Sequence, residues 1–214
     1  MLNNLIATIN RMSHTRQDLD LVAVMLQALD DKYDLSQKIE RNPSLEEIII
    51  QLAGRISQAY GAFTALKGER ILDIACGSTT SKAPASLFVD TPFGEQSISV
   101  SDSDGYAAQF EPWFCRILVE LGAGPVGIDL GNLDQEIFEH YHVDLGQPGA
   151  LNFLPDRSFD AVQDSRLFGS PEFTRQFPNQ VDRLKIAAEI WRQEQRLLKA
   201  NGIVIHSDAS NLLH

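Results

Sequence analysis

The chain has 214 residues, 43% of them hydrophobic and 22% charged, enough for one full core with an appendage. Its net charge of −11, from 18 Lys and Arg against 29 Asp and Glu, repels phosphate backbones, so nucleic acid is not an expected partner. No apolar run approaches the length of a membrane span, the N-terminus lacks the basic-then-apolar pattern of a secretory leader, and the two cysteines form no disulfide framework. Cys76 and Cys115 are expected to be buried, reduced thiols, which fits a cytoplasmic protein.

Residues 1–68 are expected to form a helical extension. Leu19, Val22, Ala23, Leu26 and Leu29 recur at helical spacing and give one apolar stripe. Pro43 and Ser44 open a second helix, with Ser44 and Glu47 in a capping-box pattern. Leu45, Ile48, Ile49, Leu52, Ala53, Ile56 and Phe63 mark its buried face. These helices are expected to pack on the sheet or a partner subunit, or to cover a pocket.

From residue 70 onward short apolar strands alternate with helical patterns, which implies a parallel sheet with helices on both faces. Strands are predicted at 70–75, 125–129, 140–144, 159–163 and 202–207. Helices are predicted at 111–121, with Trp113, Ile117, Leu118 and Leu121 inward, and at 180–199, with Leu184, Ala187, Ala188, Trp191 and Leu198 on one side. The first strand, Ile71 to Ile74, carries Asp73 and runs into a small glycine-bearing turn, Ala75-Cys76-Gly77-Ser78. A buried strand ends that way when a ligand must approach the backbone. Between this turn and the helix at 111–121 lies an insertion spanning about 78–110. In it Ser86 to Asp90 and Gln96 to Val100 flank a loop with Gly94, as in a β-hairpin. With its Ser/Asp/Gly-rich stretch, Ser101 to Gly105, this insertion is expected to act as a lid.

Ile-Leu-Asp-Ile-Ala-Cys-Gly-Ser at 71–78 resembles motif I of the class I S-adenosylmethionine-dependent methyltransferases. The resemblance continues in order through Pro-Val-Gly-Ile-Asp-Leu (125–130), Tyr-His-Val-Asp-Leu (141–145), Leu-Pro-Asp-Arg-Ser-Phe-Asp-Ala-Val (154–162) and Glu-Gln-Arg-Leu-Leu-Lys-Ala-Asn-Gly-Ile-Val-Ile (194–205). It implies an α/β, Rossmann-like, doubly wound and mostly parallel sheet over residues 69–214, with S-adenosylmethionine as cofactor. It also implies methyl transfer to a small-molecule acceptor by in-line displacement. The family continues through two more strands after the fifth, so a shortened C-terminal edge is expected here. The apolar run Ile203 to Ile205 would then need a cover, from the N-terminal helices, from the hairpin, or from a second subunit in a two-fold dimer, the favoured option.

The same resemblance assigns the site. Ala75, Cys76, Gly77 and Ser78 would lie under the methionine and ribose, and Asp73 would orient the turn. Asp129 would accept hydrogen bonds from both ribose hydroxyls, with Leu130 shaping the pocket. Asp144 would take the adenine amine while Leu145 packs on its ring. Asp164, with Ser165 and Arg166 after it, stands where the family places substrate-facing groups. Asp164 is therefore read as both a cofactor neighbour and a catalytic group, and His206, beside Asp208, as a candidate base. The histidines lack metal-ligand spacing, and no metal site is expected. A non-catalytic S-adenosylmethionine-binding or regulatory module is the alternative. A dinucleotide enzyme is disfavoured because no Gly-x-Gly-x-x-Gly is present.

Overall fold

The computed structural model describes residues 2–12, 15–78, 86–91, 94–99, 108–164, 167–168 and 170–213. Four helices come first: α1 (Leu2–Asn10), α2 (Arg16–Tyr33), α3 (Leu35–Arg41) and α4 (Ser44–Tyr60), followed by a 3-10 turn at Phe63–Leu66. Thr15 caps α2 by accepting from the Asp18 amide at 3.1 Å, and Asp34, at φ 53°, ends α2 and turns the chain into α3. The stripe on α2 differs from expectation: Met25 joins Val22, Leu26 and Leu29 inside, while Leu19 is exposed. On α4 the anticipated face from Leu45 to Ile56 is buried, and Phe63, also buried, belongs to the 3-10 turn that follows. The capping box is not formed. Pro43 already has helical φ and ψ and serves as the N-cap, so Ser44 falls inside the helix and Glu47 accepts from Gln51 instead.

The sheet is built from β1 (Arg70–Ile74), β4 (Gly124–Asp129), β5 (Glu139–His142), β6 (Phe159–Asp164) and β7 (Leu198–His206). Between β1 and β4 come a separate antiparallel hairpin, β2 (Ser86–Thr91) with β3 (Gly94–Ser99), and then α5 (Trp113–Glu120). After β6 come α6 (Pro171–Gln176) and α7 (Gln180–Leu197), and α8 (Asp208–Leu213) follows β7. The five-stranded order is β5-β4-β1-β6-β7 with every pairing parallel. This is the α/β, doubly wound arrangement expected from the strand-helix alternation. The order reverses at β1, so the carboxyl ends of β1, β4 and β6 border the crevice where such sheets bind ligands.

Strand alternation sorts the core into two layers. Ile71 and Ala161, with partly buried Ile203 and Ile205, face α1 to α5 and share one apolar cluster with Leu5, Leu26, Ile49, Ile56 and Trp113. Leu72, Ile74, Val126, Ile128 and Val162 face the other way, onto α7 and α8 through Ala187, Ile190, Leu197 and Ala209. On α7 the inward face includes Gln193 and Glu194, while Ala188 is exposed and Leu198 already belongs to β7. Among the described residues no helix is long and apolar enough to cross a membrane.

Candidate functional site

The first strand ends in a turn that only small residues can make. Ala75 sits at φ 59° and Gly77 at φ 94°, both in the left-handed region. A Cβ on Gly77 would stand 2.1 Å from the Phe110 carbonyl oxygen, so the backbone of 110–111 lies directly on the turn. Three turn amides are engaged within the protein. Cys76 donates to the Ile128 carbonyl at 3.0 Å, Gly77 to Oδ2 of Asp129 at 2.9 Å, and Ser78 to the Phe110 carbonyl at 3.0 Å.

Asp129 thus meets the turn at the end of β4. Its second oxygen, Oδ1, accepts the Gly131 amide at 2.7 Å. A carboxylate has about four lone-pair positions, and among the described residues two of them are filled, which leaves two for hydroxyl donors. Leu130 beside it is 56% exposed. The end of β5 closes on the same corner, since the Val143 amide donates to the Asp129 carbonyl at 2.9 Å and His142 Nε2 contacts the Leu130 carbonyl. Asp144 follows in a turn of its own, accepting from the Gly146 amide at 2.9 Å and Gln147 Nε2 at 2.8 Å. The carboxyl ends of β1, β4 and β5 therefore bring Ala75, Cys76, Gly77, Ser78, Asp129, Leu130 and Asp144 together.

Other expected residues stand elsewhere. Asp73 lies beneath the turn, 1% exposed, with Cys115 Sγ at 3.6 Å and Gln163 Nε2 at 3.5 Å. Burial, with repulsion from Asp129 and Asp164, pushes its carboxyl up to about 7. It ties β1 to α5 and β6 rather than facing the crevice. Leu145 is buried in the core layer with Leu72 and Val126, so its side chain is not an open platform for a ring. Both cysteines are free and buried, and desolvation raises both thiols, Cys76 to about 11.

The two residues read as catalytic are held by α8. Asp164 is fully buried; it accepts from Ser207 Oγ at 2.9 Å, from the Ala209 amide at 3.1 Å and from the Asp208 amide. It caps a helix rather than facing an acceptor, because the chain leaving β7 turns its free amides onto the neighbouring strand end. Glu194 of α7 is buried against it, and burial together with Asp164 pushes the Glu194 carboxyl up to about 9. His206 is paired with Asp208, Nε2 to Oδ1 at 2.8 Å. Ser165 and Arg166, like Ser101 to Gly105, lie outside the described residues.

Sequence reasoning missed a second polar cluster behind the turn. Arg116 on α5, 2% exposed, donates through Nε and Nη2 to Glu136 and through Nη1 to Glu111, which also takes Lys38 Nζ at 2.7 Å. The guanidinium lies over Tyr33 at 4.0 Å and Trp113 at 4.7 Å. The signal was a lone arginine inside Trp-Phe-Cys-Arg-Ile-Leu, because a charge in a segment buried on all sides must be paired.

No family model and no curated protein matches this chain. Among solved structures, it is similar to "trans-methyltransferase CalH complex with SAH", at 12% identity and a TM-score of 0.38. The match covers 100% of this chain and 56% of that one, so the chain spans about half the length of that protein. A likeness so distant carries no functional argument; the strand order and the contacts at the turn have to supply it.

Proposed function

We propose that the chain binds S-adenosylmethionine at the carboxyl ends of β1, β4 and β5 and is a methyltransferase acting on a small molecule in the cytoplasm. The observation that carries this is the direct bond from the Gly77 amide to Asp129, at the point where the strand order reverses. It places a tight turn and an acceptor-rich acid side by side, which suits a ribosyl group lying across two strand ends. The occupied turn amides favour this reading over a dinucleotide enzyme. A pyrophosphate needs free amides at its turn, and those of Cys76, Gly77 and Ser78 are already bonded within the protein. Nothing in the cofactor proposed here requires a phosphate cradle.

Methyl transfer from a sulfonium asks chiefly for alignment of donor and acceptor. With Asp164 turned onto α8 and His206 paired with Asp208, the catalysis we infer rests on positioning, with the acceptor arriving in a nucleophilic form. The same observation favours, as second reading, a cofactor-binding module without transfer activity.

Calorimetry with S-adenosylmethionine, S-adenosylhomocysteine and NAD is the test. The first two are expected to bind and NAD is not. Asp129→Ala should weaken binding by about 1.5–3 kcal/mol, roughly tenfold to a hundredfold, because charge-assisted bonds to the ribose are lost. An unchanged affinity in that variant would move the site elsewhere. Binding without transfer to any small acceptor would select the second reading.

A further inference from the structure

The backbone that lies on the turn is held by a buried charge cluster on its far side. Phe110, whose carbonyl takes the Ser78 amide and abuts Gly77, is followed at once by Glu111, whose side chain enters the interior and is 4% exposed. Glu136 sits in the loop that leaves Asp129 and Gly131, and it too is buried. Arg116 grips both: Nη1 holds Glu111, Nη2 reaches Glu136 at 2.7 Å, and Nε lies 3.2 and 3.3 Å from the two Glu136 oxygens. Tyr33 and Trp113 fix the plane of the guanidinium from their rings. One side chain thus joins the segment above the turn to the loop that carries the ribose acid.

We propose that Arg116 is a positioning residue for the turn: by holding Glu111 and Glu136 at a fixed spacing it sets the gap between Phe110 and the Asp129–Gly131 corner, and hence the geometry of the cofactor site, without touching the cofactor. Packing alone does not account for an arginine here. A buried ion cluster stabilises a fold no better than apolar side chains of similar size. What the guanidinium adds is a planar fork that fixes angle as well as distance. For ligand affinity the inference rests on the methyltransferase reading; for the turn itself it does not.

The test is the double variant Arg116→Met/Glu136→Gln. It removes one positive and one negative charge together and leaves Glu111 with Lys38, so no buried carboxylate is stranded. Two measurements are made: amide hydrogen exchange without ligand, and the S-adenosylhomocysteine Kd. The expected result is exchange at Gly77 and Ser78 faster by about tenfold or more, with the amides of 72–74 and 126–128 unchanged. The Kd should rise by at least about tenfold alongside. Unchanged protection at Gly77 and Ser78 would overturn the proposal, and so would a uniform acceleration across the sheet, which marks a role in stability only. If the wild type binds no S-adenosylhomocysteine while the two turn amides still exchange faster in the variant, Arg116 positions the turn and the methyltransferase reading falls instead.

Discussion

Ala75 carries a side chain where the backbone prefers none. At φ 59° an L-residue costs about 1–2 kcal/mol, and glycine gives back about 0.4–1 kcal/mol through its freer unfolded chain. Ala75→Gly should therefore leave stability unchanged or raise it by up to about 1 kcal/mol, whereas Ala75→Val, β-branched at positive φ, should lower it by about 1–3 kcal/mol. Urea unfolding of the two variants decides, and a valine form as stable as the glycine form would contradict the strained turn. Glu194 sets a second expectation, through pH. Its carboxyl is raised from 4.5 to about 9 by burial and by Asp164 and Asp208, against a smaller opposing bond from Ser207. The folded state therefore keeps a proton that the unfolded state releases, and this group's contribution to stability is fully present below about 4.5 and is lost as pH rises toward 9. Glu194→Gln removes that proton linkage and keeps a neutral polar group of the same size beside Asp164. It should be more stable than wild type by on the order of 2 kcal/mol near neutral pH, with a flatter decline between pH 6 and 8. Parallel pH curves for the two proteins would refute the raised Glu194 carboxyl. Asp129 and Gly77 were legible in the sequence, because strand ends and small turns are local patterns. The partners of Asp164 were not, because Glu194 and Ser207 reach it only across the fold.

At the scale of elements, the insertion after the turn leaves and returns at one place. Ser78 donates to the Phe110 carbonyl at 3.0 Å, so a short linker can bridge the two ends at little closure cost. The hairpin β2–β3 forms its own two-stranded sheet outside the main one. Replacing 79–107 with a Gly/Ser linker should thus leave a cooperative fold with a similar thermal midpoint. S-adenosylhomocysteine should dissociate faster from it, if the insertion is the lid expected from its position. A protein that melts without a transition would show that the insertion belongs to the core. The hairpin was readable from two short segments flanking a glycine-containing loop. The start of α4 was misread by one residue because Pro43 supplies helical geometry itself, and β7 begins earlier than expected because Leu198 pairs with Phe159 ahead of a register shift. Propensity marks where an element can begin; its neighbours decide where it does.

For the whole molecule, the N-terminal helices supply most of one of the two core layers among the described residues and are not an ornament on it. The stripe from Leu45 to Phe63 was expected to pack on the sheet or on a partner subunit, and the same chain supplies the surface: these side chains share one cluster with Ile71, Ala161, Phe114, Ile117 and Leu118. That removes one reason for a second subunit and leaves the outer edge of β7, which pairs only with β6 among the described residues, as the other. The boundary near residue 68, clear as a change of sequence pattern, is therefore not expected to be a boundary of stability. A fragment of 69–214 would bare the sheet face under α4 together with the apolar side of α5. At about 1.5–3 kcal/mol for each large side chain left in water, a few such residues exceed the 5–15 kcal/mol that holds a typical domain. The fragment should be molten or aggregated, with weak near-ultraviolet dichroism and strong dye binding, and adding residues 1–66 as a separate peptide should restore order in part. A fragment that melts cooperatively and binds S-adenosylhomocysteine like the whole chain would show that the sheet and α5 suffice, and that the helices only cover them.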